Sequence, residues 1–351
     1  MAIRTGLIGY GRNGSTMHAN PIFELPEFEM VAVCDVDKAA RDAAAARFGR
    51  PVYERHSQML ERENLDFVVI VTYNHQHAPM AADCLEAGVD VLVTKPWAVD
   101  QAEAVRMIET AKKDEKLLLP WLPSRWGCQL LRLREIIAAG EIGTVYRVER
   151  RVTTFGRRAD WQTRSDHAGG YLLNWGPHIV DQPVQLLGER VESVYARMSQ
   201  VVNPGDVEDV FSAVLTLDGG ETIQCDHIVA SGDSPEWVVY GDRGTISVHN
   251  KKLEIHQVAF EENIDPSAYR STVNKTVRTE EASGAVYGDE MEIYRVVATA
   301  LRRETVYPIT LESALYLTKL LDAIRLSAAG NVVVSVDPAA TSGQPVTKQE
   351  T

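Results

Sequence analysis

The chain has 351 residues, of which 45% are hydrophobic and 24% are charged, and its formal net charge is −13. The length is about twice that of a usual single domain, so two domains with sizeable cores are expected. The acidic balance argues against sequence-independent binding to nucleic acid, which needs lysine and arginine to neutralise phosphates. It also argues against attraction to an anionic membrane surface.

The N-terminal residues MAIRTGLIGYG lead directly into a strand pattern, without the basic region and apolar stretch of a signal peptide. No apolar run reaches the roughly 18 residues of a membrane span. The four cysteines form no Cys-x-x-Cys pair, and no cluster of His, Cys or carboxylate residues has metal-ligand spacing. We therefore expect free thiols, a cytoplasmic location and no metal.

Up to about residue 143, short β-branched runs alternate with Ala-rich helical segments at 37–48, 78–87 and 100–114. This rhythm predicts β-α-β units around a parallel sheet, that is, an α/β domain over residues 1–122. Later in the chain, alternating patterns separated by turn signals predict an antiparallel sheet built from hairpins. These strands are expected at 143–155, 191–202, 209–217, 221–229, 236–240 and 244–248.

Two helical patterns, at about 288–302 and 311–328, and a strand at 332–336 follow. The second domain is thus expected over residues 123–336 as an α+β unit, and its C-terminal helices could pack back on the first domain. The polar residues 337–351 are expected to form a disordered tail.

Gly9, Gly11 and Gly14 form G-x-G-x-x-G between a strand and a helical stretch, and they enclose Arg12 and Asn13. Glycines at this spacing allow a tight turn and let the backbone approach a pyrophosphate, which the helix N-terminus then binds. The second strand ends at Asp35, where a carboxylate would accept hydrogen bonds from an adenosine ribose and repel a 2′-phosphate. The pattern predicts a Rossmann doubly wound fold that binds NAD in preference to NADP.

Residues 66–100 contain two apolar strands on either side of a helix, and each strand ends in polar residues. Ligands of open α/β sheets bind outside the carboxyl ends of the strands, so these residues are expected to face the cofactor. A solvated surface lysine is the alternative interpretation of Lys95. The residues concerned are Thr72, Asn74 and His77 after the first strand, and Thr94, Lys95 and Pro96 after the second.

The stretch GGYLLNWGPHIVDQ, residues 169–182, sets His178 just past a helix-opening Gly176-Pro177 pair. Asn174 lies four residues before the histidine and Asp181 three residues after it. Asp181 could orient the imidazole, contact substrate or form a helix-face hydrogen bond.

This combination of motifs resembles the Gfo/Idh/MocA family of sugar and polyol oxidoreductases, and the resemblance extends from about residue 3 to 336. It implies a Rossmann domain followed by a domain with an open, mostly antiparallel sheet that commonly makes oligomer contacts, so a homodimer or homotetramer is expected. The glycine motif would bind the pyrophosphate, and Trp161 matches a position that often touches the cofactor. Lys95 matches the family's lysine, and His178 matches the histidine taken as general acid/base. Asp35 would bind the adenosine ribose, and Thr72, Asn74 and His77 would line the nicotinamide half.

Three positions depart from the family pattern. Asn174 falls where many members have aspartate, Thr94 where the usual motif reads Glu-Lys-Pro, and Tyr73 where many relatives have proline. Asparagine can orient a hydroxyl but cannot take a proton. We therefore expect a single apparent base, with a pKa near or below about 6.5.

Oxidation of a secondary alcohol needs a group that accepts the hydroxyl proton and a positive charge or donor that stabilises the alkoxide. His178 is expected in the first role and Lys95 in the second, with Asn174 beside them. The expected function is NAD-dependent hydride transfer at a secondary hydroxyl of a sugar, sugar derivative or cyclitol. The alternatives are an NAD-assisted hydrolase or lyase without net NADH, and a non-catalytic dinucleotide-binding regulator.

Overall fold

A computed structural model describes residues 1–261, 267, 269 and 273–336. The chain forms two sheets, one of six strands and one of nine. The expected tail at 337–351 lies outside the described residues.

The first sheet is fully parallel, with strand order β3-β2-β1-β4-β5-β6. The order reverses between β1 and β4, which is where α/β sheets place their ligands. Every side chain of β4 and all but one of β5 are buried, as expected for strands covered on both faces. The strands are β1 (Ile3–Ile8), β2 (Phe28–Cys34), β3 (Val52–Tyr53), β4 (Phe67–Ile70), β5 (Asp90–Thr94) and β6 (Leu118–Trp121); the helices are α1 (Ala19–Glu24), α2 (Lys38–Phe48), α3 (His56–Arg62), α4 (His77–Glu86) and α5 (Gln101–Lys113).

The second sheet has the order β14-β13-β12-β11-β7-β10-β9-β8-β15, and only the β7–β10 pair is parallel among the described residues. The sequence patterns did not predict β13 and β14. Its strands are β7 (Val145–Thr154), β8 (Val191–Ser199), β9 (Val210–Leu217), β10 (Thr222–Val229), β11 (Trp237–Gly241), β12 (Gly244–His249), β13 (Lys252–Phe260), β14 (Val273–Glu281) and β15 (Val334–Ser335).

Helices α6 (Cys128–Ala138), α7 (Tyr171–Ile179) and α8 (Asp181–Leu187) follow the first sheet in the chain, and α7 and α8 pack on the second sheet. Alternate residues of β9, such as Phe211, Ala213 and Leu215, are buried beneath this layer. The alternation is typical of a sheet with one covered face. The buried residues therefore mark the face of the sheet that α7 and α8 cover.

Of the last two helices, α9 (Glu290–Leu301) packs on α1, and α10 (Leu311–Gly330) packs on α5 and β6 of the first sheet region and also on β8 and β15 of the second sheet. The Trp97 indole N–H donates to the Thr318 hydroxyl at 2.9 Å, and His18 Nδ1 lies 2.8 Å from the Tyr294 hydroxyl. These buried contacts tie the end of the chain to the parallel sheet.

No helix among the described residues is long and apolar enough to cross a membrane. The same residues contain no group of three or more His, Cys, Asp or Glu that could hold a metal ion. All four cysteines are free and buried.

Candidate active site

A cavity of about 790 Å³ runs from the carboxyl ends of β1 and β2 past those of β4 and β5 to helix α7. Its lining combines residues of both sheet regions. Sequence-predicted residues in the lining are Gly9, Gly11, Arg12, Asn13, Gly14, Asp35, Thr72, Asn74, Thr94, Lys95, Trp161, Asn174 and His178.

The three glycines of the first turn meet different constraints. Gly9 has φ +95, and a Cβ atom there would lie 2.2 Å from the Val71 carbonyl oxygen. A Cβ on Gly14 would lie 2.0 Å from the Gly9 oxygen, whereas one on Gly11 would meet no atom within 4 Å. Gly9 and Gly14 are therefore required by the fold of the turn, and Gly11 leaves open space at the cavity surface.

The Asp35 carboxylate is held by the backbone at the same end of the cavity. One oxygen accepts from the Tyr10 N–H at 2.7 Å and the other from the Asp37 N–H at 2.8 Å. Each carboxylate oxygen retains a further lone pair for a ligand hydroxyl. The side chain is thus fixed in orientation and still able to accept hydrogen bonds.

His77 and Pro96 lie behind the cavity wall, which differs from the expected cofactor contact. His77 is 1% exposed, with Nδ1 at 2.8 Å from the Pro96 carbonyl and Nε2 at 3.2 Å from the Thr72 carbonyl. Burial lowers the pKa of His77 to about 4. The histidine joins the segments that follow β4 and β5, so it supports the lining residues from behind.

Lys95 follows β5 and reaches across to α7. Its Nζ donates to the backbone oxygen of Asn174 at 2.7 Å and to the Asn174 Oδ1 at 2.9 Å. Burial, and to a smaller extent the positive charges of Arg158 and Arg12, lower the pKa of Lys95 to about 7. The lysine is therefore placed and tuned to gain or lose a proton near neutral pH.

Helix α7 begins at Tyr171, five residues before the expected start at Gly176-Pro177. Gly170 precedes it with φ +102, where a Cβ would lie 2.5 Å from Glu208 Oε1. Glu208 also accepts from the Leu172 N–H at 3.0 Å, so a carboxylate occupies the positive end of the helix. Pro177 lies inside the helix, and His178 is in its last turn.

The His178 imidazole is 7% exposed, and its Nδ1 has no hydrogen-bond partner among the described residues. Burial lowers the pKa of His178 well below its usual 6.5, and the positive charges of Lys95 and Arg150 act in the same direction. Asp181 accepts two hydrogen bonds from Arg125, at 2.7 and 2.9 Å. Its carboxylate is therefore engaged with arginine.

The segment 161–168 packs against the loop that follows β4. The rings of Tyr73 and His167 stack with centroids 4.6 Å apart, and Tyr73 contacts Trp161 at 5.0 Å. The Asn74 amide donates to the Ala168 carbonyl at 2.8 Å. The cleft is thus bridged beside the cavity by aromatic stacking and a hydrogen bond.

Both halves of the chain match models of one family. Residues 3–120 match its oxidoreductase N-terminal region, described as an NAD-binding Rossmann fold, and residues 130–247 match its C-terminal domain.

The chain belongs to the GFO/IDH/MocA oxidoreductase family.

Individual relatives agree with this assignment. The chain is 26% identical to the uncharacterized oxidoreductase YdgJ of Escherichia coli, covering 91% of this chain and 94% of that protein. It is 28% identical to an inositol 2-dehydrogenase of Rubrobacter xylanophilus, covering 70% of this chain and 71% of that protein. The crystal structure of an NAD-binding protein from Listeria innocua superposes with a TM-score of 0.82 at 26% identity, covering 95% of this chain and 97% of that one. The protein is therefore an oxidoreductase with an NAD-binding Rossmann domain.

Trp121, Tyr287 and Gln162 are among the lining residues that the family motifs did not reveal. Trp121 and Tyr287 line the cavity but lie outside both matched ranges. Gln162 is 9% exposed, and its Oε1 has no hydrogen-bond partner among the described residues. Trp121 ends β6, so its position at a strand end was an available signal, whereas Tyr287 lies in a loop without any recognisable pattern.

Proposed function

We propose that this oxidoreductase transfers a hydride between NAD and a secondary hydroxyl or ketone of a sugar, sugar derivative or cyclitol. The observation that carries the proposal is the meeting of Lys95 and helix α7 across the cleft. Lys95 donates to Asn174 one turn before His178, and all three residues line the cavity that starts at the glycine turn.

The residues at the far end of the cavity fit a dinucleotide. Gly11 offers open space for a pyrophosphate, with Arg12 and Asn13 beside it. Asp35 retains lone pairs for the ribose hydroxyls and would repel a 2′-phosphate, which favours NAD over NADP. Thr72, Asn74 and Trp161 would hold the nicotinamide half. When bound, NAD supplies the acceptor for the hydride that leaves the substrate carbon.

Lys95 and His178 would together accept the hydroxyl proton and stabilise the developing alkoxide. A general base works best when its pKa is near the operating pH, and burial brings Lys95, at about 7, closest to that condition. His178 stays neutral because its pKa lies well below 6.5, so it can accept or donate one hydrogen bond at each ring nitrogen. This assigns the titration near neutrality to Lys95, whereas the sequence led us to expect it from the histidine.

Asn174 would hold Lys95 in place without fixing its charge. An aspartate at this position would add a negative charge that favours the protonated lysine. The amide accepts from the ammonium group through Oδ1 and leaves the lysine pKa to burial and the nearby arginines. We therefore propose that Asn174 positions Lys95 and leaves the lysine pKa low enough for Lys95 to act as the base.

The test is a panel of D-glucose, D-glucuronate, myo-inositol and scyllo-inositol with NAD, following both NADH absorbance and substrate loss. The inositol dehydrogenase among the relatives supports the inclusion of cyclitols. NADH formation with at least one member, strongly lowered in His178→Ala, supports the proposal. Substrate loss without NADH would instead favour the lyase alternative, because these compounds have no glycosidic bond to hydrolyse, and no turnover at all would contradict a dehydrogenase of these compounds. A cytoplasmic location and a homodimer or homotetramer remain predictions.

A further inference from the structure

Trp175 is the one residue of helix α7 that is not buried, and it lines the cavity together with His178. It precedes the histidine by three residues, so the two side chains are neighbours on the same side of the helix. Their ring centroids lie 6.0 Å apart. Among the residues of α7, the Trp175 indole is therefore the most accessible to a ligand in the cavity.

One face of the indole is covered by the ring of His227. The two ring centroids lie 5.7 Å apart and the planes are inclined at 25°, which is an offset-stacked arrangement. The His227 ring stacks in turn with Phe211, at 6.3 Å and 24°. Because His227 and Phe211 are both 0% exposed, these nearly parallel rings lead from the cavity wall into the protein interior.

The middle ring of this stack is fixed by a hydrogen bond and is uncharged at neutral pH. His227 Nδ1 lies 3.0 Å from the Asp209 carbonyl oxygen, which can only accept, so this nitrogen donates. Burial lowers the pKa of His227 to about 4. The Tyr171 ring packs against the imidazole at 4.4 Å. The plane of the Trp175 indole is therefore set by a buried support whose charge does not change near neutral pH.

The opposite face of the indole has no ring stacked on it among the described residues. Besides His227, the rings that contact Trp175 are those of His178, inclined at 66°, and Tyr287, at 6.3 Å and 54°. Neither of them lies flat on the indole. An aromatic face beside the proposed catalytic histidine is thus available to a flat apolar surface of a ligand.

A six-membered polyol ring has such a surface when its hydroxyls are equatorial. The axial ring hydrogens then point above and below the mean plane, so each side of the ring is a patch of C–H groups and the hydroxyls project from the rim. An axial hydroxyl would interrupt one of these patches and would be buried against the indole without a hydrogen-bond partner. Burial of such a group is unfavourable.

We propose that Trp175 is a specificity-determining residue whose free face contacts the C–H side of the substrate ring. The inference rests on the proposed function and narrows it to six-membered rings that present an uninterrupted C–H side to the indole. The nicotinamide is proposed to contact Thr72, Asn74 and Trp161, so Trp175 is left to the substrate.

The test compares wild type with Trp175→Leu, which removes the aromatic face, and with Trp175→Phe, which keeps one. The parent probes are scyllo-inositol, D-glucose and D-glucuronate, which have only equatorial hydroxyls as the all-equatorial inositol or the β-pyranoses. The isomers with one further axial hydroxyl are myo-inositol, D-mannose, D-galactose, D-allose and D-galacturonate.

For wild type, at least one isomer should have a kcat/KM about ten-fold below that of its parent. Trp175→Leu should lower kcat/KM for the parent by about ten-fold and bring the two compounds to within about two-fold of each other. Trp175→Phe should restore most of the wild-type difference, because it again offers an aromatic face.

Trp126→Leu is the matched control, since Trp126 is half-buried, contacts the Tyr307 ring at 6.4 Å and does not line the cavity. This variant should discriminate between parent and isomer as wild type does. Calorimetric titration should give the same NAD affinity for wild type and the Trp175 variants. A clear loss of NAD affinity in Trp175→Leu would mean that the indole supports the cofactor, and it would overturn the inference.

The kinetic outcomes separate this inference from the proposed function. If wild type oxidises parents and isomers alike, or if Trp175→Leu lowers kcat/KM by one common factor for every compound, the indole does not select the ring and only this inference is overturned. Undiminished discrimination in Trp175→Leu overturns it as well. If wild type forms NADH with none of these compounds, the proposed function itself fails, and this inference fails with it.

Discussion

At the dinucleotide end of the cavity, Gly9 and Gly14 leave no room for a Cβ atom, and Asp35 is held by two backbone N–H groups. At the opposite end, which we propose as the catalytic one, His178 and Gln162 each bury a polar side-chain atom without a partner among the described residues. Backbone geometry shapes the first end, whereas the second end contains buried polar side-chain atoms that are available to bind a ligand. A Cβ atom added at Gly9 or Gly14 should accordingly damage folding, whereas substitutions at the second end should damage the chemistry.

The largest effect is expected from Lys95→Met, which keeps the length of the side chain and removes its proton-carrying group. Loss of a general acid/base and of a donor to the alkoxide should lower kcat by about 10³-fold, or about 4 kcal/mol. Steady-state kinetics on the best panel substrate measure the loss, and calorimetric NAD titration shows whether the cofactor end is intact. Lys38→Met, on the exposed face of α2, is the control. A variant that retained a tenth or more of the wild-type rate would exclude Lys95 from the chemistry.

At the dinucleotide end, a substitution that crowds the glycine turn should lower the free energy of unfolding. Gly9→Ala places a Cβ 2.2 Å from the Val71 oxygen and forces alanine into φ +95, so we expect a loss of about 2–4 kcal/mol of unfolding free energy. Gly11→Ala, the control in the same turn, has open space and should unfold like wild type while binding NAD more weakly. Urea denaturation of both variants measures the difference. Equal unfolding free energies would mean that the turn relaxes around the new methyl group.

The contrast between the two ends also explains how far the sequence could be interpreted. The glycine spacing and Asp35 are local in sequence, so a single motif predicts their geometry. The catalytic end joins Lys95, the α7 helix and Tyr287, which are far apart in the chain and meet only through packing.

Local patterns also misplaced a helix start. Gly176-Pro177 resembles an N-terminus, yet Gly170 with its positive φ and the Glu208 carboxylate start the helix earlier. That carboxylate belongs to Glu208, 38 residues beyond Gly170 in the chain, so a local motif could not predict its contact with the helix. Strand β14 was missed because it is largely exposed and its charged residues lack a clear apolar alternation, and β13 was missed although Leu253 and Ile255 alternate with exposed residues.

A smaller effect is expected from Asp35→Asn, which removes the negative charge from the ribose site. NAD affinity should fall and the repulsion of a 2′-phosphate should weaken, so the ratio of the NADP to the NAD dissociation constant should drop by about ten-fold. Fluorescence titration with both cofactors measures the ratio. Asp42→Asn, on the exposed face of α2, should leave it unchanged. An unaltered ratio in Asp35→Asn would show that the carboxylate does not select the cofactor.

The smallest effect is expected from Asn174→Asp, which adds a negative charge beside Lys95 with little change in side-chain shape. The new carboxylate would lie beside Lys95 Nζ, where Oδ1 is now 2.9 Å away, and an opposite charge at this distance raises the pKa of the lysine from about 7. Oxidation requires the deprotonated base, so its pH–rate profile should move to higher pH by about one unit. Asn64→Asp, outside the cavity, serves as the control.

Whether this shift persists when His178→Ala is added separates the two candidate bases. If Lys95 titrates near neutrality, the shift caused by Asn174→Asp persists in the residual activity of the double variant, because the lysine still senses the carboxylate. If His178 is the titrating base, removal of the imidazole abolishes the shift. A profile that does not move in Asn174→Asp itself would mean that neither base senses residue 174, and the role assigned to the asparagine would have to be abandoned.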